Sequence, residues 1–277
     1  MALYINTNAA SLEAQRSLSA NTTMQATTFQ RLASGLRINS SADDASGLAL
    51  SEQMNADVRS YGVAERNAMN ATSMLQTADG ALGQFSSMLQ RMRELSVQSA
   101  NGDLTALDRG YIDEEFGQLK EELARIGAST QFNGFQLLSG PVAVIEFQVG
   151  IDGNASDRLP VDFGGMTVAD LGLSASNVAG VDATSARAAI GELDAAMEIV
   201  NGRRADFGAR INRLQITAAN LGSMRTNLST AQGRITDVDV AEESAKMARQ
   251  NVLSQAGVAI LAQANQAPQA ALQLLKG

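Results

Sequence analysis

The sequence predicts a mainly α fold: an elongated rod of long coiled-coil-like helices with one small β-hairpin, plus a helix at each end of the chain. Three patterns carry the prediction. From Tyr61 onward, one apolar line runs Tyr61, Ala68, Leu75, Leu82, Leu89 and a second runs Ala64, Ala71, Ala78, Phe85, Met92, each with a period of seven. In the second half Leu193, Val200, Phe207, Leu214, Leu221, Leu228 and Ile235 repeat that period. Sustained heptads of this kind belong to long helices packed in coiled-coil fashion. Between the two halves, strict alternation at Ile145, Phe147, Val149 and at Leu159, Val161, Phe163 marks two strands joined by a turn around Asp152-Gly153-Asn154.

The elements follow in chain order. Residues 1–42 carry Leu12, Leu18, Met24, Phe29 and Leu32 among many small polar neighbours, which reads as a weakly amphipathic helix. Ser41-Ala42-Asp43-Asp44 offers a capping-box-like start, and Gly35 and Gly47 interrupt the pattern around it, so a linker is expected there. A helix over about 45–100 follows. A shorter one over about 105–128 places Ile112, Phe116, Leu119, Leu123 and Ile126 at spacings of three and four, with its acids on other faces. The hairpin is expected over about 142–164, and the Gly/Ser/Ala-rich stretch to about Thr184 as loop. The heptads of the second half predict a helix over about 185–232. A helix of about 45 residues spans roughly 65 Å, more than a compact domain's diameter. The last segment, 234–277, carries Leu253, Ile260, Leu261, Leu272 and Leu275. Helices as polar as the two terminal ones are marginal alone, because packing supplies most helix stability.

Composition narrows the function. The chain has 277 residues and a net charge of -8, with no Cys, His or Trp. Thiol and imidazole chemistry, a Ser/His/Asp triad and the usual zinc ligands are therefore excluded. Lysine occurs only at Lys120, Lys246 and Lys276, and the carboxylates form no compact constellation, so neither an enzyme, a metal site nor a cofactor is expected. The acids of the short helix, Asp113, Glu114, Glu115, Glu121 and Glu122, read as a solvated face. The negative charge lies in the middle of the chain, and no basic domain is present to bind nucleic acid. The apolar run near Val258–Ala262 is too short to cross a bilayer, and the N-terminus lacks the basic and apolar regions of a cleaved secretory signal. Arg203, Arg204, Arg210 and Arg213 are expected to pair with acidic neighbours rather than to bind phosphate. Ser174, Ser176, Thr184 and Ser185 are candidate carriers of surface glycans.

Several strings resemble one family in order and spacing. Ile5-Asn6-Thr7-Asn8, Arg31-Leu32-Ala33-Ser34-Gly35-Leu36-Arg37-Ile38-Asn39-Ser40 and Asp43-Asp44-Ala45-Ser46-Gly47-Leu48 are similar to the N-terminal signature of bacterial flagellins. So are Leu75-Gln76-Thr77-Ala78-Asp79-Gly80-Ala81-Leu82, Met92-Arg93-Glu94-Leu95-Ser96-Val97-Gln98 and Thr130-Gln131-Phe132-Asn133-Gly134. Near the other end, Phe207-Gly208-Ala209-Arg210-Ile211-Asn212-Arg213-Leu214 and the run from Gln255 to Gln266 match as well. Gly140 to Thr184 leaves no room for the variable outer domains of longer flagellins.

The resemblance implies paired terminal helices, 1–42 and 234–277, lining the inner tube of a filament, with 43–233 as a rod-shaped outer shell. It implies a structural subunit that polymerises with itself, extracellular in the flagellum and exported without signal cleavage. The expected partners are a chaperone at the C-terminal helix, hook-filament junction proteins and a filament cap. Inner-tube packing between subunits is assigned to Leu12, Leu18, Phe29, Leu32, Leu253, Ile260, Leu261, Leu272 and Leu275. Arg91, Leu95 and Glu115 match positions through which the vertebrate Toll-like receptor for flagellin recognises many flagellins, and are expected on one exposed face. The nearest rival within the class is a hook-filament junction protein.

Overall fold

The computed structural model describes residues 7–139 and 144–276, with side chains through residue 266. Among the described residues five α-helices run Ala9–Ser34 (α1), Ala45–Ser99 (α2), Ala106–Ser129 (α3), Thr184–Thr236 (α4) and Val240–Lys276 (α5). The chain divides into two compact units. One holds the residues through Ala56 together with those from Asn227 onward, and the other spans Asp57–Thr226.

In the central unit the heptad lines form the core. Every position from Ala64 to Met92 on the two α2 lines is buried, and Tyr61 is half-buried. On α4, Leu193, Val200, Phe207, Leu214 and Leu221 are buried, whereas Leu228 and Ile235, in the other unit, are half-buried. Helix α3 adds Ile112, Phe116 and Leu123. It begins at a full capping box: Thr105 accepts the Asp108 amide, and the Asp108 carboxylate accepts the Thr105 amide. Hydrogen bonds from Thr105 hold the Asp108 carboxyl below its ordinary pKa.

The hairpin packs on this core. Strands Val144–Gln148 (β3) and Arg158–Asp162 (β4) are antiparallel, pairing Ile145 with Val161 and Phe147 with Leu159. Leu159, Val161 and Phe163 are buried on the face that alternation assigns to them. The start of the hairpin expected at about 142 lies outside the described residues. A smaller ladder, not anticipated, pairs Gln131–Phe132 (β1) with Phe135–Gln136 (β2). Its turn places Asn133 at φ 49° and Gly134 at φ 82°, the mirror-image turn that favours Asn-Gly in two-residue hairpins.

Residues 164–183, expected as loop, do contain no helix or strand, yet they are not a loose connection. Met166, Leu171, Leu173, Val178 and Ala183 are buried, most of them within the main apolar cluster. Arg109 on α3 holds the neighbourhood together from inside. Its guanidinium is buried and donates to the carbonyls of Ser99, Asn101 and Val181 at 2.9–3.2 Å, capping the C-terminus of α2 and tying both loops to it.

The capping expectation at α2 is corrected by one turn. Asp44, not Ser41, accepts the Gly47 amide at 2.9 Å, while Asp43 accepts from the amides of Asn39 and Ser40. Gly47 lies inside α2 and does not interrupt it. A side chain there would collide with Asp44 and the buried Ile38, which is why the position is a glycine.

Candidate assembly surface on the terminal helices

In the terminal unit α1 packs along α5. Residues on α1 that lose exposure follow a heptad register: Ser11, Ala14, Leu18, Asn21, Gln25, Thr28 and Leu32 are all buried or half-buried. On α5 the matching register is Glu243, Met247, Gln250, Ser254, Gly257, Leu261 and Ala264. Both lines alternate steps of three and four, as facing coiled-coil helices do. The chemistry of the seam is unusual for a coiled coil, because small and polar residues occupy most of it.

Hydrogen bonds replace much of the missing apolar packing. The Asn8 side chain donates to the Ala264 carbonyl at 2.8 Å, and the Ser11 hydroxyl to Asn265 at 2.8 Å. The Asn21 side chain donates to the Gln250 carbonyl at 2.9 Å, and Gln25 donates to Asn251. At the α4 end of the unit the Arg31 guanidinium lies 3.3 Å from Asp43 and 4.0 Å from the buried Glu243, which Lys246 also contacts at 3.1 Å. The backbone closes the joint: Val238 donates to Gly35, and Arg37 to Thr236.

Most of the large apolar side chains lie off the seam. Leu12 and Phe29 on α1 are 58% and 67% exposed, and Met24 is also open. On α5, Val252, Leu253, Val258 and Ile260 are exposed, Ile260 by 58%. At about 100° per residue, Met24 lies about 120° and Phe29 about 260° around α1 from Leu12, so the apolar groups are spread over several faces. A single partner surface cannot cover them all.

The structure therefore divides the residues assigned to packing between subunits. Leu12, Phe29, Leu253 and Ile260 point outward. Leu18, Leu32 and Leu261 instead lie on the α1–α5 seam, half-buried within the chain, and Leu18 meets the backbone of α5 at Gly257. Leu272 and Leu275 fall outside the described side chains. Apolar periodicity alone does not reveal the seam, because small and polar residues occupy most of it. The register of seven through Ser11, Leu18, Gln25 and Leu32 was the available signal.

In the central unit Arg91 bridges two helices, 2.8 Å from Glu115 on α3 and 3.0 Å from Glu94 on its own helix, with all three carboxylate and guanidinium groups substantially exposed. Hydrogen bonds to Glu115 and then Glu94 raise the Arg91 pKa further above its ordinary value. Leu95 is corrected: it is 1% exposed and belongs to the core, one heptad step on from Met88, so it does not share the exposed face of Arg91 and Glu115. Among the arginines, Arg204 pairs with Asp79 at 2.9 Å, Arg203 with Asp162 at 3.3 Å and Arg210 with Asp206 at 2.7 Å. Ser176 is buried and donates to Glu192, which removes it from the candidate glycan carriers.

Among the described residues, no group of three or more Asp or Glu side chains is placed to hold a metal ion, and no helix is long and apolar enough to cross a membrane. A cleft of about 280 Å³ lies in the central unit, where Tyr61, Arg213 and Met224 meet the turn of the large hairpin.

Known proteins match this chain towards both of its ends. Residues 5–143 match the bacterial flagellin N-terminal helical region, and residues 190–275 match the bacterial flagellin C-terminal helical region. A flagellin of Halalkalibacterium halodurans is 41% identical over 274 residues, covering 99% of this chain and 100% of that protein. The flagellar filament 33 kDa core protein of Treponema phagedenis is also 41% identical, with 99% and 100% covered. The crystal structure of Bacillus cereus flagellin aligns with a TM-score of 0.50 at 34% identity, over 60% of this chain and 94% of that one. A putative flagellar hook-associated protein from Vibrio parahaemolyticus aligns with a TM-score of 0.60 over 70% of this chain and 100% of that one; at 17% identity it shares the fold alone. This chain belongs to the bacterial flagellins, in a short core form, and is a structural subunit of the flagellar filament.

Proposed function

We propose that this flagellin polymerises by burying, between copies, the apolar side chains that the α1–α5 seam leaves outside. The observation that carries the reading is the inversion of the terminal coiled coil, with Asn21 and Thr28 buried and Phe29 and Ile260 in water. A seam this polar contributes little hydrophobic stabilisation, so the ordering of the two ends is offset mainly when neighbours cover the outer faces. Contacts between copies are heterologous, and a rotation between them that does not close generates an open helical polymer instead of a ring. The polymer serves as the shaft turned in swimming.

The same reading extends to partners. The exposed Val252, Leu253, Val258 and Ile260 would aggregate in a free monomer, so a chaperone covering residues near 235–277 during export fits the chemistry of α5. A chain lacking Cys has no disulfide to form during export. Junction and cap proteins meet the two ends of the filament. The subunit is not an enzyme, takes no cofactor and binds no nucleic acid. The Arg91–Glu115 pair is the proposed contact for the vertebrate Toll-like receptor, with Leu95 supporting it from the core. Undiminished receptor signalling by an Arg91→Ala monomer would remove that assignment.

The assembly reading is tested by comparing Ile260→Asp with wild type in seeded polymerisation. Ile260→Asp monomers should keep their helical circular dichroism and fail to elongate seeds. Filaments of normal length and yield from this variant would overturn the reading.

A further inference from the structure

The chain contains no Cys, His or Trp, but it contains eleven Met. Thioether sulfur is therefore its principal target for two-electron oxidants. Their exposure is graded, with Met54, Met88, Met197 and Met247 half-buried between the extremes. Met24, Met69 and Met224 are exposed, by 52%, 59% and 40%, whereas Met74, Met92 and Met166 are buried in the core of the central unit. Met69 lines an open groove with Glu65, Thr72 and Ala218, and Met224 borders the cleft beside the hairpin. Met24 alone of the three belongs to the terminal unit. It lies off the α1–α5 seam, between seam residues Asn21 and Gln25, on a face that α5 does not cover.

We propose that Met24 is an oxidation site through which peroxides stop the subunit from assembling. The inference rests on the assembly reading above. In the reaction the sulfur lone pair attacks one oxygen of hydrogen peroxide. The O–O bond breaks, an S–O bond forms and the other oxygen leaves as water with both peroxide protons. Sulfur gives up two electrons and peroxide gains them. The product replaces a flexible apolar side chain with a strongly polar sulfoxide. In the free monomer this oxygen stays hydrated and α1 is undisturbed. Between copies it must shed its water, and nothing in an apolar contact gives that hydration back. Oxidation thus acts on the unassembled subunit, while a filament that has covered Met24 resists it.

The test treats purified monomer with hydrogen peroxide, maps sulfoxides by peptide mass spectrometry and follows seeded elongation. Met24 and Met69 should convert early, with Met92 and Met166 still thioethers. Elongation by the oxidised wild type should slow by at least roughly tenfold, and methionine sulfoxide reductase should restore it. Met24→Leu, which conserves volume, should elongate at the same rate before and after peroxide, and Met24→Gln should be slow without any oxidant. Met24 in preformed filaments should react more slowly than in monomer. Elongation at the untreated rate by monomer shown to carry the Met24 sulfoxide would overturn the proposal. So would equal peroxide losses in Met24→Leu and wild type. Ile260→Asp, assayed without oxidant, reports on the assembly reading separately: if it elongates normally that reading fails, and if it is blocked while oxidised wild type elongates, only the Met24 assignment fails.

Discussion

The side-chain amide of Asn21 donates to the backbone carbonyl of Gln250 at 2.9 Å, in the middle of the α1–α5 seam. Asn21 is 5% exposed, and its own side-chain oxygen, like that of Gln250, has no donor among the described residues. A buried Asn at a coiled-coil core position fixes register at a cost in stability. The seam thus specifies which residues of α1 and α5 face one another without making their union strong.

Asn21→Leu should accordingly stabilise the isolated monomer. Removing an unsatisfied buried acceptor and adding apolar area is expected to contribute about 1–2 kcal/mol, seen as a higher thermal midpoint and slower proteolysis of the ends. An unchanged or lower midpoint would show that the polar seam is already the more stable arrangement.

The central unit should answer to a different kind of change. Phe207 is fully buried, and its ring centroid lies 5.6 Å from that of Phe163. Phe207→Ala leaves a cavity between α4 and the hairpin and should cost about 3–5 kcal/mol in denaturant unfolding of that unit. Amide exchange at the α1–α5 seam should change far less.

Arg109 is a polar counterpart in the same unit. Arg109→Leu strands three carbonyls that the guanidinium now satisfies, so a loss on the order of 3 kcal/mol is expected, with faster exchange around Asn101 and Val181. Arg109→Lys should recover only part of it, because an ammonium does not reproduce the planar fork of donors.

The turn before α2 makes the terminal unit sensitive to acid. Hydrogen bonds from Ser40 and Asn39, with Arg31 contributing, hold the Asp43 carboxyl below its ordinary value, and the Gly47 amide and Ser46 do the same for Asp44. A depressed folded-state pKa stabilises the fold above the unfolded-state value, and that stability is lost as pH falls through the folded one. Asp43→Asn should therefore lower the thermal midpoint at neutral pH. The gap to wild type should close as pH drops below about 4, the ordinary range of the carboxyl. A gap that is constant with pH would assign the effect to shape and not charge.

How much of this was legible in the sequence depends on what occupies the repeating positions. Where heptads are filled by Leu, Phe and Ala, as along Leu75–Met92 and Leu193–Leu221, period and burial coincide and the helices were readable with their approximate bounds. The large hairpin was equally readable, because Leu159 and Val161 alternate with Arg158, Pro160 and Asp162. The terminal seam was not, since Ser11, Asn21 and Thr28 carry no hydrophobic signal while apolar residues such as Phe29 face water. Leu95 was misplaced for the converse reason, as a motif match says nothing about which side of α2 a residue occupies. The small β1–β2 ladder had its cue in Asn133-Gly134. The apolar content of 164–183 was hidden because residues such as Leu171 and Val178 are buried without any regular period.

The central claim is that sister subunits cover the faces of α1 and α5 that lie away from the seam. A helical reconstruction of the polymer by electron cryomicroscopy tests it most directly. The account predicts Leu12, Phe29, Leu253 and Ile260 packed against neighbouring copies, with Asn21 still facing Gln250 inside each subunit. A filament in which those four side chains remain in contact with solvent would contradict it.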